Sequence, residues 1–336
     1  MLIRIVQSLV DRLSDVSISD RTKTALQVTI SGALLVYLAT VIPIGSLDKA
    51  VSAVSLPFLV IIIAVIFAKK ATSVMAIHQL LQSQIEVSPV SVFMADSMIA
   101  IGNSIIPTQA GGLVAAPIVY ERYLGLPKID GFVLKSVDFL ITATTTGVIT
   151  VIGVIILFSE LNTAFALLFF GAATIYLGFT SAVVIAAHFG SFLPRSIRPL
   201  VPERVKRLAE EDVPHIPRKR IVNAVIFQTT SVLLLSIRFI IIAAGLGVFF
   251  PLHVALFAPI MIYSLTVYPV SFNGLGVVEA AAIFVLSALG VPTETASAII
   301  ILDRALGTYI PMILSGTVAG VAWQFSLLEH DADAPS

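Results

Sequence analysis

The sequence predicts an all-α fold: a polytopic integral membrane helical bundle with two inverted repeats, each containing a broken or re-entrant helix pair. Three observations predict it. Hydrophobic residues are 57% of the chain and charged residues 12%, with a mean hydropathy of +1.02, more apolar surface than a water-soluble chain of 336 residues could cover. The apolar residues gather into runs near the ~20 residues that the hydrocarbon layer demands. One pattern is also written twice. Pro107, Gln109, Gly111 and Gly112, then Leu124-Gly125-Leu126-Pro127, then Asp138, are answered by Pro269, Asn273, Gly274 and Gly276, then Leu289-Gly290-Val291-Pro292, then Asp303. The spacing from closing proline to aspartate is the same in both copies, which reads as an internal duplication.

The elements follow in order. Residues 1–23 place Leu2, Ile5, Val6, Leu9, Leu13 and Val16 at helical spacing among charges, the pattern of an amphipathic helix lying in the interface. A single membrane domain over 24–328 comes next. Its first span is 24–42 and its second 51–67, ended by Lys69-Lys70. Segment 71–86 carries His78, Gln79, Gln82, Gln84 and Glu86 and reads as an interfacial helix. Repeat one covers about 88–158: runs 90–106 and 112–124 flank the Pro107 break, and 133–158 is a full span. Another span, 164–188, leads to the densest basic segment, 190–220, which the positive-inside rule places in the cytoplasm. After the span 221–249 comes repeat two, about 252–325. There 253–268 and 277–289 flank the second break, and 296–323 closes the membrane part. An acidic tail, 329–336, is expected to be disordered.

With the N-terminus and Lys69-Lys70 set in the cytoplasm, Arg122, Lys128 and Lys135 draw the exit of the first broken pair to that side. An odd number of crossings then separates the two pairs, so they face opposite ways, the arrangement alternating access exploits. Both termini are expected in the cytoplasm and the protein in the plasma membrane.

A backbone break inside hydrocarbon is tolerable only where protein or a wet cavity surrounds it. Proline removes a donor and glycine lets another group approach closely. A helix restarting there points its N-terminal amides inward, which favours an anion such as phosphate. For a single copy, close helix packing by small residues is the better reading; the repetition tips it toward a ligand. The expected substrate-binding residues are therefore Pro107, Gln109, Gly111, Gly112, Pro269, Asn273, Gly274, Gly276 and Glu279. Asp96, Asp138, Arg238, Glu279, Asp303 and Arg304 also interrupt apolar sequence, at roughly 2.5–3.5 kcal/mol each near the bilayer centre. Asp138, Arg238, Asp303 and Arg304 are expected as charge partners, with Glu279 pairing with Arg238 or Arg304 around a headgroup-sized polar cavity. The alternative, preferred for Asp96, is a structural ion pair that fixes helix register or a protonated carboxyl with no task.

The block Tyr268-Pro-Val-Ser-Phe-Asn-Gly-Leu-Gly-Val-Val-Glu-Ala-Ala, with Leu289-Gly-Val-Pro and Asp303-Arg304 behind it, resembles the membrane domain of lysylphosphatidylglycerol synthases. That domain is shared with a flippase-like family that includes archaeal proteins of lipid-linked glycan assembly. The resemblance covers about 24–323 and implies movement of phospholipids or polyprenyl-phosphate sugars between leaflets. Two departures stand out. The family's first motif carries a glutamate and an arginine, where this chain has Gly111-Gly112-Leu113-Val114-Ala115-Ala116, and Val278 replaces the basic residue before the second motif's glutamate.

The synthases' aminoacyl transfer resides in a soluble domain that does not follow the last span in this sequence. The five histidines have no metal-ligand spacing, cysteine is absent, and no nucleophile pattern or phosphate-binding loop is visible. The chain is therefore expected to be no enzyme and to need no cofactor. A formal net charge of +0 points away from nucleic acid. The expected partners are membrane lipids and an anionic lipid or lipid-linked saccharide as substrate. The basic loop is an orientation signal first and a docking site for a cytoplasmic glycosyltransferase or lipid-modifying enzyme second. Two alternatives to a translocator are a membrane-embedded lipid-modifying transferase or glycosyltransferase, or a membrane subunit of one, and a small-solute secondary transporter.

Overall fold

The computed structural model describes residues 54–105, 111–192, 216–268, 276–309, 311 and 315–317. The expectations for 1–23, for the first span at 24–42, for most of the basic loop and for the 329–336 tail lie outside them. So do Pro107, Gln109, Pro269, Asn273 and Gly274.

The described elements in chain order are α1 (Leu56–Leu81), α2 (Pro89–Ile105), α3 (Gly111–Leu124), α4 (Lys128–Ile156), α5 (Thr163–Phe192), α6 (Arg218–Gly245) and α7 (Leu252–Ser264). A 3₁₀ turn (Leu265–Val267), α8 (Val277–Ala288), α9 (Thr293–Arg304) and a π-helical turn (Ala305–Tyr309) follow. The fold is all-helical, with no strand among the described residues. α1, α4, α6 and residues 163–181 of α5 are long and apolar enough to cross a bilayer.

One expectation fails at α1. Lys69-Lys70 do not end a span: α1 runs unbroken for 26 residues and takes in much of the segment read as interfacial. Pro57 sits in its first turn, where a missing N–H costs nothing. The interior holds no glycine or further proline to stop it, and the two lysines are absorbed because they face a polar interior.

α1 and α6 pack antiparallel. Arg220, early in α6, donates to Gln79 Oε1 at 3.0 Å and also to Gln82, at the end of α1. Gly245, closing α6, lies against Phe58 and Val54 at the start of α1. These contacts define two ends of the bundle. At the first, His78 Nε2 meets the Val87 carbonyl at 2.9 Å, bringing in the chain that enters α2. Leu124 and Leu126, at the corner after α3, pack into the same core as Leu80, Leu81 and Ile85. At the second end, Val54 shares a core with Leu157, Leu161, Val254, Leu286 and Val291. α2 and α3 thus enter and leave at the first end, α7 and α8 at the second.

These four helices have 17, 14, 13 and 12 residues. At 1.5 Å per residue they reach roughly 18–26 Å, short of the ~30 Å hydrocarbon layer. None of the four, as described, is long enough to cross it alone.

The duplicated Leu-Gly-aliphatic-Pro block becomes the same corner twice. Gly125 and Gly290 end α3 and α8 with left-handed φ of 66° and 86°, which only glycine adopts without strain. Leu126 N donates to the Tyr120 carbonyl at 3.2 Å, and Val291 N to that of Leu286 at 3.0 Å. Pro127 and Pro292 then cap the next helices, α4 and α9.

Outside, large apolar side chains such as Val60, Ile61, Phe67, Ile155, Leu167, Phe170, Ile226 and Phe284 are exposed. An exterior this apolar suits lipid chains rather than water. Inside, two separate apolar cores fill the two halves of the bundle.

Candidate functional site

Polar groups lie between the two cores. On α1, Ile62 belongs to one core and Val74 to the other, and Lys69, Lys70 and Ser73 fall between them. On α4, Lys135, Asp138 and Thr142 lie between Leu134 and Val154; on α6, Gln228 lies between Ala224 and Phe239, with Arg238 beside Phe239. Together with Asp96 of α2, Tyr263 of α7 and Gly307 of the π-turn they line a cavity of about 360 Å³. Helices that are apolar at both ends and polar in the middle can satisfy those middle groups only by facing one another.

Within the cavity, Lys70 is paired with Asp96 at 2.5 Å. Lys135 Nζ donates to Asp138 at 2.7 Å and lies 3.8 Å from Asp96. Lys135 is thus a cavity residue rather than a marker of the membrane exit. Asp96 is ion-paired, one of the two forms its structural reading allowed, and the pairs lie on the cavity wall. Thr142 Oγ1 donates to the Asp138 carbonyl at 2.9 Å and accepts from Gln228 Nε2 at 2.7 Å.

Arg238 grips Asp303 with two parallel bonds, Nε to Oδ1 at 2.8 Å and Nη2 to Oδ2 at 2.9 Å. The geometry is the strong bidentate one, and both residues are buried. The guanidinium rests on Gly307, where a Cβ would fall 1.9 Å from Nη1. The π-turn and its glycine make that room; such turns are frequent at functional sites.

Glu279 pairs with Arg304, one of its two expected partners, Oε1 accepting from Nε at 2.8 Å. Its Oε2 accepts from Gly276 N at 2.7 Å, closing the N-terminus of α8, and Gly276 turns the chain there with φ of 84°. Glu279 does not line the 360 Å³ cavity among the described residues. Arg304 and Asp303 reach a neighbouring void of about 10 Å³, too small for a ligand. Gly111 and Gly112 open α3, and Leu113 directly after them lines the cavity.

The charge partners Asp138 and Arg238 therefore meet at one cavity, with Asp303 behind Arg238, while Glu279 and Arg304 form a second buried pair. Lys69, Lys70, Lys135, Gln228 and Tyr263 were not anticipated there. A signal existed for Lys135, three residues before Asp138 and so on the same helical face. For Lys69-Lys70 it was the apolar run resuming at Val74 without glycine or proline.

No group of three or more histidine, aspartate or glutamate side chains among the described residues could hold a metal. Residues 24–315 match the family described as the lysylphosphatidylglycerol synthase TM region. No curated protein matches the chain.

Proposed function

The chain belongs to the family of the lysylphosphatidylglycerol synthase TM region, and on that premise we propose that it is a flippase-like translocator. Its cargo is an anionic phospholipid or a polyprenyl-phosphate-linked saccharide, moved between leaflets of the plasma membrane and released with its mass unchanged. The observation that carries this reading is the charged cavity between two apolar cores, on helices whose outer faces suit lipid tails. A headgroup crossing unaided must shed its hydration, the dominant cost of moving charge through hydrocarbon. Fixed lysines and an arginine at mid-length offset that loss while the tails stay in lipid.

The two broken pairs, arriving from opposite ends, are read as inverted repeats that rock against each other around the cavity. Pro107, Gln109, Gly111 and Gly112 on one side and Pro269, Asn273, Gly274, Gly276 and Glu279 on the other are assigned to the passage into it. No catalytic step is assigned to the chain. A cytoplasmic lipid-modifying enzyme or glycosyltransferase is the partner that would supply or consume such a lipid.

The test uses the full chain in liposomes with tail-labelled lipids and an impermeant quencher. For an anionic lipid, quenching should pass beyond the outer-leaflet pool, with lipid mass unaltered. Quenching no greater than in protein-free vesicles for every headgroup in a panel would remove the reading.

A further inference from the structure

Four charges of alternating sign stand in a row along the cavity. Lys70 of α1 pairs with Asp96 of α2 at 2.5 Å, Lys135 of α4 lies 3.8 Å from Asp96, and the same Lys135 holds Asp138 at 2.7 Å. All four line the cavity. The row is not symmetric. Asp96 has two cations, whereas Asp138 has one and shares it; Asp138 Oδ1 has no donor among the described residues. Lys70 is further held over the Phe93 ring, 5.6 Å from its centroid. Lys135, on a flexible four-carbon stem between two carboxylates, is the cation of the row that can change partner.

Among the described residues no other cation is placed to take its position. Arg238 of α6 is locked by both of its bonds to Asp303. Lys69 of α1 has Tyr263 of α7, Arg238, Lys70 and Asp303 as electrostatic neighbours, and Asp138 is not one of them. α3 brings a phenol, Tyr120, whose buried hydroxyl has no partner and lies within electrostatic reach of Asp96, Lys135 and Asp138. α5 brings Tyr176 and no charge over 163–181. When Lys135 turns away, Asp96 keeps Lys70 and Asp138 keeps nothing. A carboxylate stranded in a buried site is costly and is neutralised by binding a proton. An anion in the cavity supplies the reason to turn, because it competes with Asp138 for the ammonium.

We propose that Asp138 is a proton-coupling site: an anion entering the cavity draws Lys135 away, and Asp138 takes up one proton from the water on that side. The only bond formed is the carboxyl O–H; Lys135 keeps its own protons. One negative and one positive charge arrive together, so the loaded cavity carries the same net charge as the empty one. By linkage, a proton on Asp138 frees Lys135 and strengthens anion binding by the same factor. Anion and proton therefore move in the same direction. The transport consequence rests on the translocator reading, while proton uptake at Asp138 stands or falls by itself.

The experiment has two arms, both with the full chain, and cooperative thermal unfolding establishes that each variant is folded. In detergent, infrared difference spectra follow the C=O stretch of a protonated carboxylic acid. Adding phosphatidylglycerol, chosen because its single negative charge does not titrate over the pH range used, should raise this band in wild type and in Asp96→Asn but not in Asp138→Asn. Lys135→Gln should show the band before any lipid is added, since Asp138 has then lost its cation. In phosphatidylcholine liposomes with a trace of tail-labelled phosphatidylglycerol, an acidic exterior should enrich the label in the inner leaflet. The enrichment should approach about tenfold per pH unit, as one proton per anion requires, and a membrane potential alone should produce none. Asp138→Asn should give the same leaflet distribution with and without the gradient. A band that survives Asp138→Asn, or its absence from lipid-free Lys135→Gln, overturns the proton site. Lipid that equilibrates between leaflets but ignores the pH gradient overturns the coupling and leaves the translocator standing. Lipid that does not move at all counts against the translocator, and the lipid-free Lys135→Gln band still decides the proton site.

Discussion

Arg238 is placed so that nearly every change around it is felt. Arg238→Met leaves the Asp303 carboxylate, 4% exposed, without its partner, and removing one half of a buried pair costs roughly 3–5 kcal/mol. Replacing both, as Arg238→Met with Asp303→Leu, should recover most of that loss, because two apolar side chains leave no stranded charge. Thermal unfolding in detergent, followed by helical circular dichroism, would read the difference; a double variant no more stable than the single one would contradict the pairing argument. Gly307→Ala attacks the same pair from the other side. Its methyl would land 1.9 Å from Arg238 Nη1, so the guanidinium must leave the bidentate geometry, and the loss should approach that of Arg238→Met. Gly178→Ala is the control, since its Cβ would meet nothing within 4 Å. It should be neutral or slightly stabilising, as alanine is the better helix former.

At the scale of elements, the two corners allow a cleaner test than any packed position. A Cβ at Gly125 or Gly290 would meet nothing within 4 Å, so the cost of alanine there is conformational alone. Each substitution should cost roughly 1–2 kcal/mol, the penalty of a left-handed L-residue, and asparagine should cost less. Similar losses at both sites in the same unfolding assay would mark the corners as one design used twice; a loss at one only would break the likeness. These corners were legible in the sequence because their chemistry is local: a glycine that ends a helix and a proline that starts the next. The Glu279–Arg304 pair was legible in part, since a carboxylate alone in apolar sequence must find a cation, and the sequence left that cation open between Arg238 and Arg304. The continuity of α1 through Lys69-Lys70 was not. Adjacent lysines usually mark a membrane edge, and what overrides that here is Asp96, a residue on another helix that meets Lys70 only once α1 and α2 have packed. Gln228 and Thr142 were hidden likewise, because a polar side chain in a span reveals its partner only through tertiary contact.

The whole molecule has a charge polarity that its neutral total conceals. The first end of the bundle gathers Arg122, Lys128, Arg218, Lys219 and Arg220, by the contacts of α1 with α6 and the corner between α3 and α4. The second end, with the loops around 157–163, 246–251 and 289–292, carries no lysine or arginine among the described residues; Glu160 there meets His253 at 3.0 Å. Lysine and arginine near span ends set orientation, and acidic residues contribute little. The first end is therefore expected in the cytoplasm, and the α7–α8 pair enters from outside. The absence of cysteine from the chain makes the test direct. Gln84→Cys, beside the end of α1, and Asn162→Cys, before α5, each add one thiol to a cysteine-free background. An impermeant maleimide applied to intact cells should label the second and spare the first, and inside-out vesicles should reverse the pattern. Labelling of both from one side would place the two broken pairs on the same face of the membrane, and a cavity served by both from one side could not pass a headgroup from leaflet to leaflet.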